Sequence, residues 1–149
     1  MKVAIVTGGS SGIGAATARQ LAKRGWRVAI NYAHKQKMAE RAATECGNAL
    51  AVRADVAQDA DCRRLARTVL DKFGAIDALV NNAGTTKLVP HGAERAAETE
   101  KRYSSIAPLK AISEAEDVAD AIVWLIEGAR GVTGDVVYVD GGMHIASPR

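Results

Sequence analysis

Lys2 to Gly14 reads KVAIVTGGSSGIG. Val3, Ala4, Ile5 and Val6 make a short, almost continuous apolar run, the pattern of a strand buried on both faces of a parallel sheet. A glycine-rich turn follows, Gly8-Gly9-Ser10-Ser11-Gly12 and then Gly14, leading into the helix-permissive Ala15-Ala16-Thr17-Ala18. Strand, glycine turn and helix in that order bring unpaired backbone N–H groups and the positive end of a helix to one point, which suits a pyrophosphate. A plain strand-to-helix turn would use the same residues, and the spacing Gly8-x-x-x-Gly12-x-Gly14 differs from the G-x-G-x-x-G fingerprint. The rest of the chain has to decide between the two.

Outward from this stretch, a first helix is predicted from Gly12 or Ile13 to Arg24, closed by Gly25. Arg27 to Asn31 reads as the second strand, and in a right-handed βαβ unit its C-terminal end lies beside the first loop, where an adenosine ribose would sit. There the chain has Asn31-Tyr32-Ala33-His34-Lys35. An Asp or Glu at that point would repel a ribose phosphate; Asn31 does not, and Lys35 either attracts one or merely starts a solvated helix face. This leans toward NADP(H). His34-Lys35 through Cys46 is expected to form the next helix, with Met38 as core filler, and Ala49 to Arg53 the third strand. Asp55 lies just beyond it, placed to accept a hydrogen bond from an adenine amino group while Val56 covers the ring, or to cap the next helix. Gln58 to Phe73 has the clearest helical periodicity, with Cys62, Leu65, Ala66, Val69, Leu70 and Phe73 on one side and Gly74 at its end. Ile76 to Val80 is then the fourth strand, leading into Asn81-Asn82-Ala83-Gly84, where small residues allow close approach to a ligand and Asn81 can tie strand ends together.

The 149 residues, 48% of them apolar, are sized for one domain over 1–149 with its own core. Apolar runs fall short of a membrane span. The opening MKVAIVTGG reads directly as a strand and not as a targeting segment, which favours the cytoplasm. Cys46 and Cys62 are too few and too unpatterned for a disulfide framework or a metal site and are expected to be buried thiols. A net charge of +3 is compatible with an anionic cofactor, and no basic block or aromatic-basic interleaving points to nucleic acid.

Taken together, Thr7-Gly8-x-x-x-Gly12-x-Gly14, Asn31-Tyr32, Asp55-Val56 and Val80-Asn81-Asn82-Ala83-Gly84 resemble the short-chain dehydrogenase/reductase family, especially its 3-oxoacyl-carrier-protein reductases and sugar dehydrogenases. The likeness resumes in Ala107-Pro108-Leu109, Glu116-Asp117-Val118-Ala119, Val132-Thr133-Gly134 and Val139-Asp140-Gly141-Gly142. The resemblance implies that Gly8, Ser10, Ser11, Gly12, Ile13 and Gly14 contact NADP(H), with Asn31, Tyr32, Asp55, Val56, Asn81, Ala83 and Gly84 around it. It implies hydride transfer to or from a small carbonyl or alcohol substrate, and a homo-oligomer. It also implies an Asn on the fourth main helix, a Ser at the end of the fifth strand and a Tyr-x-x-x-Lys pair, and none of these has a matching position here. Between Val89-Pro90-His91-Gly92 and Arg102-Tyr103 the chain passes directly to the family's C-terminal third. In Tyr103-Ser104-Ser105-Ile106-Ala107 the residue four beyond Tyr103 is Ala where Lys is required, so Tyr103 reads as a surface or lid aromatic and no catalytic residue is assigned.

The expected architecture is α/β, a shortened Rossmann-type doubly wound parallel sheet of about five strands. An irregular or helical junction is expected around 85–113, with a short exposed helix over Gly92 to Lys101. A further helix is expected over Glu114 to Glu127, offering Trp124 to a subunit contact, and a last strand over Asp135 to Val139. Functionally the sequence points to an NADP(H)-dependent oxidoreductase. The alternatives are a non-catalytic NADP(H)-binding or assembly protein without the Ser-Tyr-Lys centre and, weaker, a structural α/β module without cofactor.

Overall fold

In the computed structural model, which describes residues 1–47, 49–84 and 93–146, the apolar run Val3–Val6 is strand β1 and all four of its residues are buried. Helix α1 (Gly12–Lys23) leads to β2 (Arg27–Tyr32), α2 (Gln36–Cys46) to β3 (Ala49–Arg53), and α3 (Asp59–Phe73) to β4 (Ala78–Val80). The four strands are parallel in the order β3-β2-β1-β4. Helices α4 (Ala93–Ile106) and α5 (Ala115–Glu127) and the single turn α6 (Met143–Ala146) complete the described chain. The expected junction residues 85–92, including Val89-Pro90-His91-Gly92, lie outside the described residues.

The period of two along β1 divides the core. Ala4 and Val6 face one layer with Val28, Ile30 and Val80, against Ala18 and Leu21 of α1, Ala39 and Ala42 of α2 and Val123 of α5. Val3 and Ile5 face the other with Ala29, Val52 and Ala54, against Leu65 and Val69 of α3. A strand covered on both faces has no room for a polar residue, which is why the run is continuous and not alternating. Helix α5 is fixed from both ends. Glu114 and Asp117 form a capping box at its start, with the Glu114 N–H donating to Asp117 Oδ2 at 2.8 Å. At its end Glu127 accepts from Trp26 Nε1 at 2.6 Å and lies 3.5 Å from Arg24, so α5 is tied to the turn between α1 and β2.

Several expectations change. The sheet has four strands among the described residues, because Asp135 to Val139 enters no ladder: Val136 and Tyr138 are 68% and 60% exposed. β-Branched residues make a strand only when an edge is there to receive them. β4 begins at Ala78 and not at Ile76, since Asp77 stands in for the ladder, its carboxylate accepting the Val3 N–H at 2.7 Å. α2 starts at Gln36, leaving His34 and Lys35 in the preceding turn, and Met38 is exposed and not core. Leu70 also faces outward, although periodicity placed it inside. Cys46 and Cys62 are partly exposed free thiols, and burial of one flank pushes the Cys46 thiol pKa up. The exposed helix expected over Gly92 to Lys101 extends to Ile106 as α4 and carries Tyr103 on its surface. Trp124 is half-exposed on α5. Among the described residues no helix is long and apolar enough to cross a membrane.

Candidate functional site

The loops after β1, β2, β3 and β4 meet on the C-terminal edge of the sheet, where the strand order reverses on either side of β1. Thr7 joins two of them. Its N–H donates to the Val80 carbonyl at 3.0 Å, and its hydroxyl donates to the same carbonyl at 3.2 Å while accepting the N–H groups of Asn82 and Ala83 at 2.9 and 3.0 Å. Asn82 returns the tie, its side-chain amide donating to the carbonyls of Thr7 and Gly8 at 2.8 and 3.3 Å. The tying residue is therefore Asn82 and not Asn81, which is exposed. The Asn82 N–H bonds back to Val80 at 3.0 Å, a tight turn that directs the second Asn toward the loop.

Two glycines show how closely the loop is drawn down. Gly8 has φ +63, and a Cβ there would stand 2.9 Å from Ala83 Cα. A Cβ on Gly14 would stand 2.5 Å from Asn82 Nδ2 and 2.6 Å from the Gly8 carbonyl oxygen. Above them the N-terminus of α1 is open: Ser11 is its N-cap but makes no side-chain cap, and no acidic residue lies in the first turn. Backbone N–H groups and a positive helix end left in that state suit a phosphate.

A cleft of about 490 Å³ runs from this loop along the ends of β2 and β3. It brings together Gly8, Ser10, Ser11, Asn31, Tyr32, Lys35, Asp55, Val56, Ala83 and Gly84 of the residues picked out by sequence. Gly12, Ile13, Gly14 and Asn81 do not line it: Gly14 lies buried beneath the loop, Ile13 is partly buried on α1, and Gly12 lines a second cleft of about 380 Å³ with Ser10, Ser11, Met38 and Arg41. In that second cleft Arg19 bridges Glu45 at 3.4 Å and Glu116 at 3.5 Å, joining α1, α2 and α5.

Asn31 lines this cleft, and its side chain is engaged with backbone. It is 2% exposed, its amide nitrogen donates to the carbonyls of Ala54 at 2.8 Å and Val52 at 3.5 Å, and its Oδ1 accepts the Gly8 N–H at 3.4 Å. It binds the glycine loop to the end of β3 from below. Asn31→Ala is expected to destabilise the fold by about 1–3 kcal/mol, because backbone groups lose their buried partner. Urea unfolding measures this, and a loss within error would remove the assigned role. Asp55 does not cap α3, whose N-cap position is Gln58; it shapes its own turn, Oδ1 accepting the Ala57 N–H at 3.0 Å.

A family model described as short chain dehydrogenase matches residues 2–131. The chain is similar to a Streptomyces violaceoruber protein named as granaticin polyketide synthase ketoacyl reductase 2, 43% identical over 137 residues, covering 92% of this chain and 53% of that protein. It is similar also to a 3-oxoacyl-[acyl-carrier-protein] reductase of Synechocystis, 48% identical over 90 residues, covering 58% of this chain and 36% of that protein. The chain thus spans about half the length of the first relative and about a third of the second. Among solved structures, a 3-ketoacyl-(acyl-carrier-protein) reductase from Brucella melitensis complexed with NADH superposes with a TM-score of 0.81 at 24% identity, covering 95% of this chain and 97% of that one. At that identity the likeness is one of fold.

Proposed function

The chain belongs to the short-chain dehydrogenase/reductase family, and from that premise we propose that it binds NADP(H) in the cleft at the sheet edge as part of an oxidoreductase acting on a carbonyl or alcohol. The observation that carries the reading is the open N-terminus of α1 standing over the crossing of Gly8 and Gly14. Gly8, Ser10, Ser11, Gly12, Ile13 and Gly14 would form the phosphate loop, Tyr32 and Lys35 the ribose end, Asp55 and Val56 the adenine end, and Asn81, Ala83 and Gly84 the border toward the nicotinamide. Asn31 would act from beneath, through the loop. When bound, the cofactor would supply or take the hydride. The chain's own residues hold and orient it, and a small-molecule substrate would enter beyond Ala83 and Gly84. A homo-oligomer and a cytoplasmic location go with the same reading.

NADPH is expected to bind more tightly than NADH by about 2- to 30-fold, since a screened contact of Lys35 with a ribose phosphate contributes about 0.5–2 kcal/mol. Lys35 is exposed on the cleft wall, and no carboxylate occupies the end of β2 to oppose the phosphate. Calorimetric titration with both cofactors at one ionic strength tests this, and equal dissociation constants would overturn it.

A second reading, a non-catalytic NADP(H)-binding or assembly protein, is favoured by the surroundings of Tyr103. Its side chain is 44% exposed on α4, and the position four residues on is the buried Ala107. Robust turnover of a carbonyl panel by this chain would exclude this second reading, whereas cofactor binding without turnover by the 149 residues agrees with both.

A further inference from the structure

We propose that Asp61 and Arg64 are positioning residues for the base end of the cleft, holding the Asp55 peptide so that the Asp55 carboxylate can meet the exocyclic amine of adenine. This rests on the reading that the cleft takes an adenine dinucleotide, and it extends the site to side chains that do not line the cleft. Asp61 and Arg64 stand three residues apart on α3 and so share a face. Arg64 uses both arms of its guanidinium: Nη2 donates to Asp61 Oδ1 at 2.6 Å, and Nη1 donates to the carbonyl of Arg53, the last residue of β3, at 2.9 Å. The other Asp61 oxygen accepts the Asp55 N–H at 2.8 Å. One ion pair therefore grips the chain on both sides of Ala54.

Ala54 is itself fixed, its N–H donating to the Tyr32 carbonyl at 2.9 Å and its own carbonyl accepting from Asn31 at 2.8 Å. Beyond it the loop is closed on α3 by the Gln58 N–H on the Asp55 carbonyl at 3.0 Å and by the Cys62 thiol donating to the Val56 carbonyl at 3.5 Å. The Asp55 side chain has Oδ1 on the Ala57 N–H, and among the described residues Oδ2 has no partner. A carboxylate oxygen left in that state on the cleft wall accepts from a ligand N–H, and its direction is set by the peptide that Asp61 holds. Asp61 holds that peptide as a carboxylate, because the Asp55 N–H, and after it Arg64, keep its carboxyl below the usual carboxylate range.

Asp61→Asn is close in size but breaks the arrangement whichever way the amide lies. With its oxygen toward Asp55 it turns an NH2 toward the Arg64 guanidinium; with its oxygen toward Arg64 it turns that NH2 toward the Asp55 N–H. The test compares binding of NADPH with its hypoxanthine analogue, which has a carbonyl oxygen where adenine has the amine. The parent is expected to favour adenine by about tenfold and Asp61→Asn by less than about twofold. Arg64→Ala should behave like Asp61→Asn, Arg64→Lys should recover part of the preference, and the charge-matched Asp71→Asn elsewhere on α3 should keep all of it. General loosening of the fold would weaken both ligands alike and leave the ratio unchanged. Discrimination by Asp61→Asn equal to the parent's would overturn the proposal and leave the cofactor reading standing. A parent that binds neither ligand would overturn both, and if Asp61→Asn does not fold, the Arg64 pair carries the same comparison.

Discussion

Gly14→Ala is expected to lower the unfolding free energy by about 2–3 kcal/mol and to abolish measurable NADPH binding at micromolar protein. In the middle of a helix the same substitution ordinarily gains about 1 kcal/mol. Here the steric cost wins. The added methyl would stand 2.6 Å from the Gly8 carbonyl oxygen and 3.0 Å from Gly9 Cα, neither of which can rotate away, and 2.5 Å from Asn82 Nδ2, which can yield only by leaving the Thr7 carbonyl. The loop would then separate from the turn after β4, opening the junction that Thr7 and Asn82 hold. Gly12→Ala is the internal control, since φ is +55 but, apart from Gly12 itself, its chain neighbours and the adjacent backbone of α1, the added carbon meets no atom of the described residues within 4 Å, so it carries backbone strain alone, about 1–2 kcal/mol. Chemical denaturation of the two variants separates close approach from strain. A Gly14→Ala protein as stable as the parent would mean that α1 does not lie against the loop as described.

The central layers were legible in the sequence because their signals are local. Val3–Val6, the periodic face of α3 and the glycine turn each need only their neighbours to be read. What misled was whatever depends on a partner distant in the chain. Asp135 to Val139 has strand composition but no adjoining edge among the described residues, so its backbone stays outside the ladder. Leu70 and Met38 sit on helical faces of the right period, yet their share of the core is taken by Leu65 and Val69 in one case and by Ala39 and Ala42 in the other.

The site shows the same division. Sequence indicates which loops meet, but not that the Asn31 amide is spent on three backbone groups or that Asn82 does the tying expected of Asn81. The Asp61 and Arg64 pair carries no motif at all. Its one available signal was an acid and a base three residues apart at the start of a helix, a pattern that marks a solvent-facing ion pair, as this one is, and says nothing of the backbone groups the pair also holds.

The 149-residue chain, verified by intact mass, is expected to show no efficient NADPH-dependent carbonyl reduction, and Tyr103→Phe is expected to leave the residual rate unchanged. Hydride delivery to a carbonyl builds alkoxide character on oxygen, which must be stabilised and protonated as it forms. In the proposed site the loop from Gly8 to Gly14 would hold phosphates and Ala83 and Gly84 would border the ring, but neither supplies a general acid. Among the described tyrosines, Tyr32 is 8% exposed on the cleft wall, Tyr138 stacks on His144 at 4.1 Å in the C-terminal segment, and Tyr103 lies on the surface of α4. A phenol exchanges protons near neutrality only with a cation fixed beside it, and among the described residues the lysine held near Tyr103 is Lys110, whose Nζ donates to the Ser105 carbonyl at 2.8 Å and so is directed at backbone. Without a positioned acid, turnover should fall by about 10²–10⁴ relative to an enzyme that has one. Steady-state assays of parent and Tyr103→Phe over a carbonyl panel decide the matter. Robust reduction by the parent that collapses in Tyr103→Phe would place the reacting centre on α4, whereas robust reduction in both would require a proton donor that is not a tyrosine of this helix.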